Sequence, residues 1–265
     1  MSWSYNRPVR FVFYGRHWTI RPAQLGAKVD VDRTIGHALQ AQPGQSVRVI
    51  ASVDQDRVAA YANELAARLS VAPQDATATL NSKLTPVLHP GKPGLQVRPS
   101  ATANRIDGAL TLARRPLIRP AAKTIAPTST RKNFGTVVVV HRGSNTMHVF
   151  AGTRPWRTFK VATGQAIYPT PLGSWHVADM QRNPWWIPPD SPWAQGLKPI
   201  PPGPGNPLGT RWMGLNAPGV GMHGTPDAAS IGYSASHGCI RMYVPDAEWL
   251  FGHVRIGTPV FIVAA

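Results

Sequence analysis

The chain has 265 residues, 43% of them apolar, enough to build one large or two ordinary folded domains rather than a disordered or fibrous polymer. Its 27 prolines and 24 glycines disfavour a helical bundle and point to short strands and many turns. The formal charge of +16 is uneven: residues 1–132 carry 19 Lys and Arg against 7 acids, and residues 133–265 carry 9 against 5. These cations are dispersed singly, without a nucleic-acid-binding signature, so an anionic polymer or membrane surface fits the charge as well as a nucleic acid, and a solvated basic face with no specific partner fits it no less.

From the N-terminus, RFVFYGRHWTI (residues 10–20) reads as a hairpin turning at Tyr14-Gly15. QSVRVIASV (45–53) and ATATLN (76–81) read as strands. Between them DRVAAYANELAARL (56–69) spaces Val58, Tyr61, Leu65 and Leu69 as one face of an amphipathic helix. A second short helix is expected over ANRIDGALTLA (103–113), capped by Ser100 or Thr102. Residues 1–112 thus form an α+β module. The proline-rich stretch 113–132 has no apolar periodicity and reads as a linker.

Residues 133–265 change to strands and form a mostly β domain. GTVVVVHRGSNTMHVF (135–150) is a hairpin; RTFKVATG (157–164), GSWHVADM (173–180) and MGLNAPGVGMHG (213–224) are further strands. Residues 183–212 are too rich in proline for sheet interior and read as a lid or binding wall, with Trp185, Trp186, Trp193 and Trp212 in or beside it. VPDAEWLFGHV (244–254) is a short helix begun by Asp246, and TPVFIV (258–263) a closing strand. No run of eighteen apolar residues occurs, and the first twenty residues lack a basic head followed by an apolar stretch. The sequence as written therefore reads without a membrane span or signal peptide.

The single cysteine, Cys239, lies in SASHGCIRM and excludes both an intramolecular disulfide and a multi-thiolate zinc site. An isolated cysteine is either a small buried hydrophobe or a nucleophile, and the second role needs a base and oxyanion donors. Two histidines followed by glycine frame it: His237, two residues before, and His223, sixteen before. Either histidine can serve as base, with freer geometry for His223 because it arrives on a separate strand. Gly238 permits backbone angles closed to other residues and exposes the amides of 238 and 239 as an oxyanion hole. Arg241 can hold a substrate carboxylate or clamp a neighbouring group.

A zinc hydrolase using His223, His237 and Cys239 is a rival reading that a chelator would test, disfavoured because no nearby glutamate supplies a base. No metal or cofactor is expected. His17, His37, His89, His141, His148, His176 and His253 lack a repeated ligand spacing and read as packed or surface residues, and Asp227 as a turn residue.

HGT (223–225) followed by SHGCIRM (236–242), with TGQAIYPTPLGSW (163–175) and PPGPGNPLGT (201–210), resembles the catalytic domain of the L,D-transpeptidases, the YkuD-type family. The resemblance covers about 133–265 and implies a β-sandwich with a short helix. It implies Cys239 as nucleophile, His223 as proton acceptor and donor, and His237, Gly238 and Ser236 in oxyanion or positioning roles. Gly224, Ser236, Arg241, Tyr168 and Trp186 are the expected substrate contacts. RHWTIRPAQLGAKVDVD (16–32) and the helix after it resemble more weakly the peptidoglycan-binding domain that often precedes this unit.

The implied activity is attack on a peptidoglycan tetrapeptide stem, release of D-alanine and cross-linking to an acceptor stem in cell-wall biogenesis. A carboxypeptidase with water as acceptor and a non-catalytic wall-binding protein are the alternatives. Peptidoglycan stems and anionic wall polymers are the expected partners, on the extracytoplasmic, wall-facing side. The resemblance also implies an export signal or anchor, truncated or omitted from the sequence as written.

Overall fold

A computed structural model describes residues 7–47, 49–110 and 115–265, which divide into two compact units. Residues 1–6, Arg48 of the expected strand 45–53, the end of the expected helix 103–113 and the first residues of the expected linker lie outside the described residues.

The strands are β1 (Val9–Phe13), β2 (Arg16–Ile20), β3 (Lys28–Val29), β4 (Ala51–Ser52), β5 (Thr77–Leu80), β6 (Pro86–His89), β7 (Gly94–Val97), β8 (Ala122–Ile125) and β9 (Thr136–His141). Then follow β10 (Thr146–Ala151), β11 (Arg154–Lys160), β12 (Thr163–Gly164), β13 (Gly173–Arg182), β14 (Arg211–Leu215), β15 (Gly221–Thr225), β16 (Ser234–Ser236), β17 (Ile240–Tyr243) and β18 (Pro259–Val263). The helices are α1 (Val31–Leu39), α2 (Gln55–Leu69), α3 (Pro99–Leu110) and α4 (Val244–Phe251).

The first unit holds residues up to Gln74 together with Lys92–Thr128. Its β1–β2 hairpin turns at Tyr14-Gly15, and the Phe11 ring stacks on Trp18 at 5.2 Å. The Trp18 Nε1–H donates to the Tyr61 hydroxyl at 2.9 Å, tying the hairpin to α2. The periodic face of α2 buries Val58, Leu65 and Leu69 against Phe11, Ile106 and Leu110. Its start is fixed by Asp54, whose carboxylate accepts from the amides of Asp56 and Arg57. The expected strand 45–53 shrinks to Ala51–Ser52, because β3 offers only Lys28 and Val29 to pair with it.

The stretch expected as a linker contributes to this unit: Ile118 is buried in its core, and β8 pairs with β7. Its proline spacing hides a strand whose faces are decided by tertiary partners rather than by local periodicity.

The second unit is Asp75–Gly91 with Ser129–Ala265. Its main sheet has eight strands in the order β11-β10-β9-β18-β13-β14-β15-β17. The pairs β9–β18 and β15–β17 are parallel; the rest are antiparallel. Gly173–His176 of β13 pair with β18 while Val177–Arg182 pair with β14, so one ten-residue strand passes from one half of the sheet to the other and turns it around a core. Thus the second unit is mostly β with one short α-helix of eight residues beside β15, as the sequence leads one to expect.

The valine run of β9 is buried on both faces. Val138 and Val140 join Met147, Val177, Met213, Met222, Ile240 and Leu250 in the main core. Val137 and Val139 enter a second core with Phe134, Phe150 and Phe261, closed by Ala76 and Leu88 from the β5–β6 hairpin. Residues 75–91, which precede the expected boundary, therefore belong to the second unit. Ser129 fastens them by backbone bonding to Ala76 and by its amide to the Asp75 carboxylate at 2.8 Å, and the Arg131 guanidinium caps the Leu88 carbonyl.

The segment 213–224 is two strands rather than one, with Val220 N–H bonding back to Ala217 O around Pro218-Gly219. In α4, Tyr243 occupies the capping position in place of Asp246, which sits in the first turn and pairs with Arg157 at 3.6 Å.

Candidate active site

β15 and β17 run parallel, with Met222 level with Ile240 and His223 level with Arg241. Because side chains alternate, the fully buried Met222, Ile240 and Met242 face the core, which puts His223 and Arg241 together on the other face. Cys239, one residue before Ile240, falls on the same face as Arg241. With strands about 4.8 Å apart and a rise of about 3.3 Å per residue, the Cα atoms of His223 and Cys239 are about 8 Å apart, a span that an imidazole and a thiol can close. This face is the floor of a cavity of about 880 Å³ whose walls include Tyr168, Trp186, Trp193, Trp212 and His237.

His223 is buried, and its Nδ1–H donates to the Gly224 carbonyl at 2.6 Å. Burial, with the Arg241 charge adding to it, pushes the imidazole pKa down to about 4, against the opposing pull of the Gly224 carbonyl. At neutral pH the ring is therefore uncharged with Nδ1 occupied as donor, which leaves Nε2 as its basic nitrogen. Gly224 acts on His223 rather than lining the cavity: its carbonyl orients the ring, and a Cβ there would press on Val244 at 3.2 Å.

The Cys239 thiol is half-buried and donates to the Gly219 carbonyl at 3.6 Å. Burial raises its pKa, opposed by a backbone hydrogen bond from Gly221 and by Arg241. The resting pair is thus a neutral thiol and a neutral imidazole, without a hydrogen bond between them among the described residues. Apo geometry of this kind commonly tightens only when substrate binds. Glycine at 221 is required by Trp212: the indole covers it so closely that a Cβ would overlap the ring, and the same ring lies tilted against His223 at 5.9 Å.

His237 is placed elsewhere. Its ring stacks on Trp193 at 4.0 Å and 15° and lies 5.2 Å from Tyr168, so it forms part of an aromatic wall that Trp186 extends through Trp193. Burial and Arg241 lower its pKa. Among the described residues no group of three His, Cys, Asp or Glu side chains converges. Arg241 faces Asp227 at 3.5 Å.

Of the two expected oxyanion donors, the Gly238 amide is engaged: it donates to Ser236 Oγ at 3.1 Å, and Ser236 Oγ in turn donates to the Cys239 carbonyl at 2.6 Å. Two residues that the sequence reading passed over support this region. Thr170 is fully buried and bonds to both Gly164 and Gly238. Asn206 organises the proline-rich wall, its amide donating to the carbonyls of Pro184, Ile200 and Pro201 while its oxygen accepts from Leu208. Both lie in the motif stretches 163–175 and 201–210, where no local pattern singles out one residue.

Residues 135–262 match the family "L,D-transpeptidase catalytic domain", and residues 18–116 match "Putative peptidoglycan binding domain". The chain is 32% identical over 125 residues to "Putative L,D-transpeptidase YkuD" of Bacillus subtilis, covering 47% of this chain and 64% of that protein. It is 34% identical over 131 residues to "Putative L,D-transpeptidase YqjB" of the same organism, covering 47% of this chain and 69% of that protein. The chain thus spans about two thirds of these relatives. A solved Enterococcus faecium L,D-transpeptidase aligns over 98% of this chain and 96% of its own at 17% identity, with a TM-score of 0.43, a likeness too distant to add to the assignment. The sequence motifs, the matched domains and the relatives agree that the chain belongs to the YkuD-type L,D-transpeptidase family, with its catalytic domain preceded by a peptidoglycan-binding domain.

Proposed function

We propose that the protein is a cysteine-dependent peptidoglycan L,D-transpeptidase acting on the wall-facing, extracytoplasmic side of the cell. The observation that carries this reading is the neutral His223, fixed through Nδ1, on the same sheet face as the cavity-floor thiol of Cys239. In the first step Nε2 of His223 takes the thiol proton as sulfur attacks the carbonyl joining the third, diamino-acid residue of a tetrapeptide stem to its terminal D-alanine. Arg241 and the Gly221 amide favour the thiolate, offsetting part of the cost of its burial.

With the Gly238 amide held by Ser236, the Cys239 N–H is the donor for the tetrahedral oxyanion. Collapse breaks the C–N bond; His223 returns its proton to the leaving amine, and D-alanine departs from a thioester. An acceptor stem amine then attacks the thioester, regenerating the thiol and forming the cross-link; water in that place would give a carboxypeptidase. Tyr168, Trp186 and Trp193 wall the stem, and Arg241 holds a substrate carboxylate in exchange for Asp227. The basic residues of 1–132 contact anionic wall polymer.

Mass spectrometry of muropeptides incubated with the whole chain tests the reading. A cross-linked dimer with released D-alanine, abolished by Cys239→Ala, is the expected result. A folded Cys239→Ala protein that still releases D-alanine would refute the nucleophile; trimmed tripeptide alone would make the protein a carboxypeptidase.

A further inference from the structure

We infer that Thr170, a buried residue outside the nucleophile motif, is a positioning residue that aims the oxyanion-binding amide of Cys239. The inference rests on the reading of Cys239 as nucleophile. Thr170 Oγ1 lies 2.8 Å from the Gly164 amide nitrogen and 2.9 Å from the Gly238 carbonyl oxygen. An amide can only donate and a carbonyl only accept, so the one hydroxyl proton must point at Gly238 O. Its direction is settled by its partners.

The Gly238 carbonyl and the Cys239 N–H belong to one planar trans peptide and point to opposite sides of it. Holding the carbonyl therefore sets where the N–H aims. Glycine at 238 has φ +112°, a conformation that side chains rarely adopt, and a Cβ there would meet only the Tyr168 carbonyl, at 3.8 Å. Without a Cβ at 238, the ψ that turns this peptide plane is weakly restricted by sterics, so hydrogen bonds decide its orientation.

Ser236 secures the planes on either side, accepting from Gly238 N and donating to Cys239 O, and Thr170 secures the one between. A hydrogen bond to the carbonyl also polarises the peptide and strengthens its N–H as a donor. Thr170 is held in its turn: the Arg142 guanidinium donates to its carbonyl at 2.9 Å. A Cβ at Gly164 would collide with the backbone of residues 168–170, so glycine there lets this turn close over the nucleophile.

The experiment compares two reactions of the same thiol in the full chain. Acylation by a purified tetrapeptide stem needs the oxyanion donor; alkylation by iodoacetamide passes through no oxyanion. In Thr170→Val, which keeps the shape and removes the hydroxyl, acylation followed by intact mass should fall at least about tenfold, towards the 10²–10³ lost when one oxyanion donor is deleted. The iodoacetamide rate and its pH dependence should hold. Thr170→Ser should recover most of the acylation. Equal acylation in wild type and the valine variant overturns the inference, as does a parallel loss of both reactions, which marks a merely structural role. If the valine protein does not fold, Thr170→Ala, which deletes the same hydroxyl, carries the same comparison; if neither folds, Thr170 serves the fold and the inference fails. Cys239→Ala separates the two claims: a variant that still releases D-alanine defeats the nucleophile, whereas an inactive one beside an unimpaired Thr170→Val defeats only the role of Thr170.

Discussion

Holding His223 neutral inside the protein should leave a measurable trace in stability. A histidine in the unfolded chain titrates near 6.5, while His223 in the fold is pushed down to about 4. Between those values the unfolded chain binds a proton that the folded one refuses, so stability falls as pH falls. The loss begins below about 6.5 and is complete below about 4. At about 1.36 kcal/mol per pH unit the full effect is about 3 kcal/mol, most of which is lost by pH 4.5. His223→Gln keeps a neutral donor for the Gly224 carbonyl at every pH and removes this dependence. Urea unfolding followed by tryptophan fluorescence suits the measurement, because seven of the nine tryptophans lie in residues 129–265. Between pH 7 and 4.5 the wild type should lose about 2–3 kcal/mol more than His223→Gln. Parallel curves for the two proteins would show that His223 is not held neutral, and would remove the argument for Nε2 as the base.

The same value predicts that acylation persists in mild acid. At pH 5 about nine-tenths of His223 remains neutral, against about 3% for a histidine of ordinary pKa, so an acid limb centred near 6.5 in single-turnover acylation would contradict the assignment. Arg241→Gln removes a charge that lowers the thiol pKa, and the pH midpoint of iodoacetamide alkylation should move upward; an unchanged midpoint would leave Arg241 to substrate binding alone. Gly221→Ala drives a methyl into the Trp212 indole and should cost about 1–3 kcal/mol in urea unfolding while impairing acylation, whereas a neutral result would mean that the indole swings away freely. A fragment beginning at residue 129 lacks the β5–β6 hairpin and bares the outer core around Phe134, Phe150 and Phe261; it should bind a hydrophobic dye and aggregate, and the 75–91 peptide added in trans should reduce both.

Elements with a strong local pattern, either amphipathic or apolar throughout, were legible in the sequence. The periodicity of α2, the Tyr14-Gly15 turn, the β9–β10 hairpin and the closing strand β18 all follow from local pattern. So does the pairing of one thiol with two histidines, of which the sequence favoured His223 only through its freer geometry and the family resemblance. What parts them is tertiary: His223 sits within a fully buried strand, whereas His237 turns outward onto Trp193. The helix α1 escaped although Val31, Ile35 and Leu39 recur every four residues behind the Asp30 cap, because it is short and Gly36 interrupts it. Thr170 and the engaged Gly238 amide escaped because a hydroxyl between prolines, or one N–H in a turn, has no periodic signature. The assignment of residues 75–91 escaped for a related reason: alternation shows that a strand has an apolar face, and is silent on which core that face will meet.

The β5–β6 hairpin also orders events during synthesis. The chain completes part of the first unit, makes a hairpin for the second, returns to finish the first, and only afterwards makes β9, β10 and β18. The hairpin therefore leaves the ribosome before any strand of the sheet whose outer face it will cover, and must wait with Leu88 unburied. Nor can the first unit close around its last segment, 92–128, until the hairpin has passed. Three chain crossings, at 74/75, 91/92 and 128/129, replace the single joint of a simple tandem protein, so neither unit can be exchanged as a cassette by one cut.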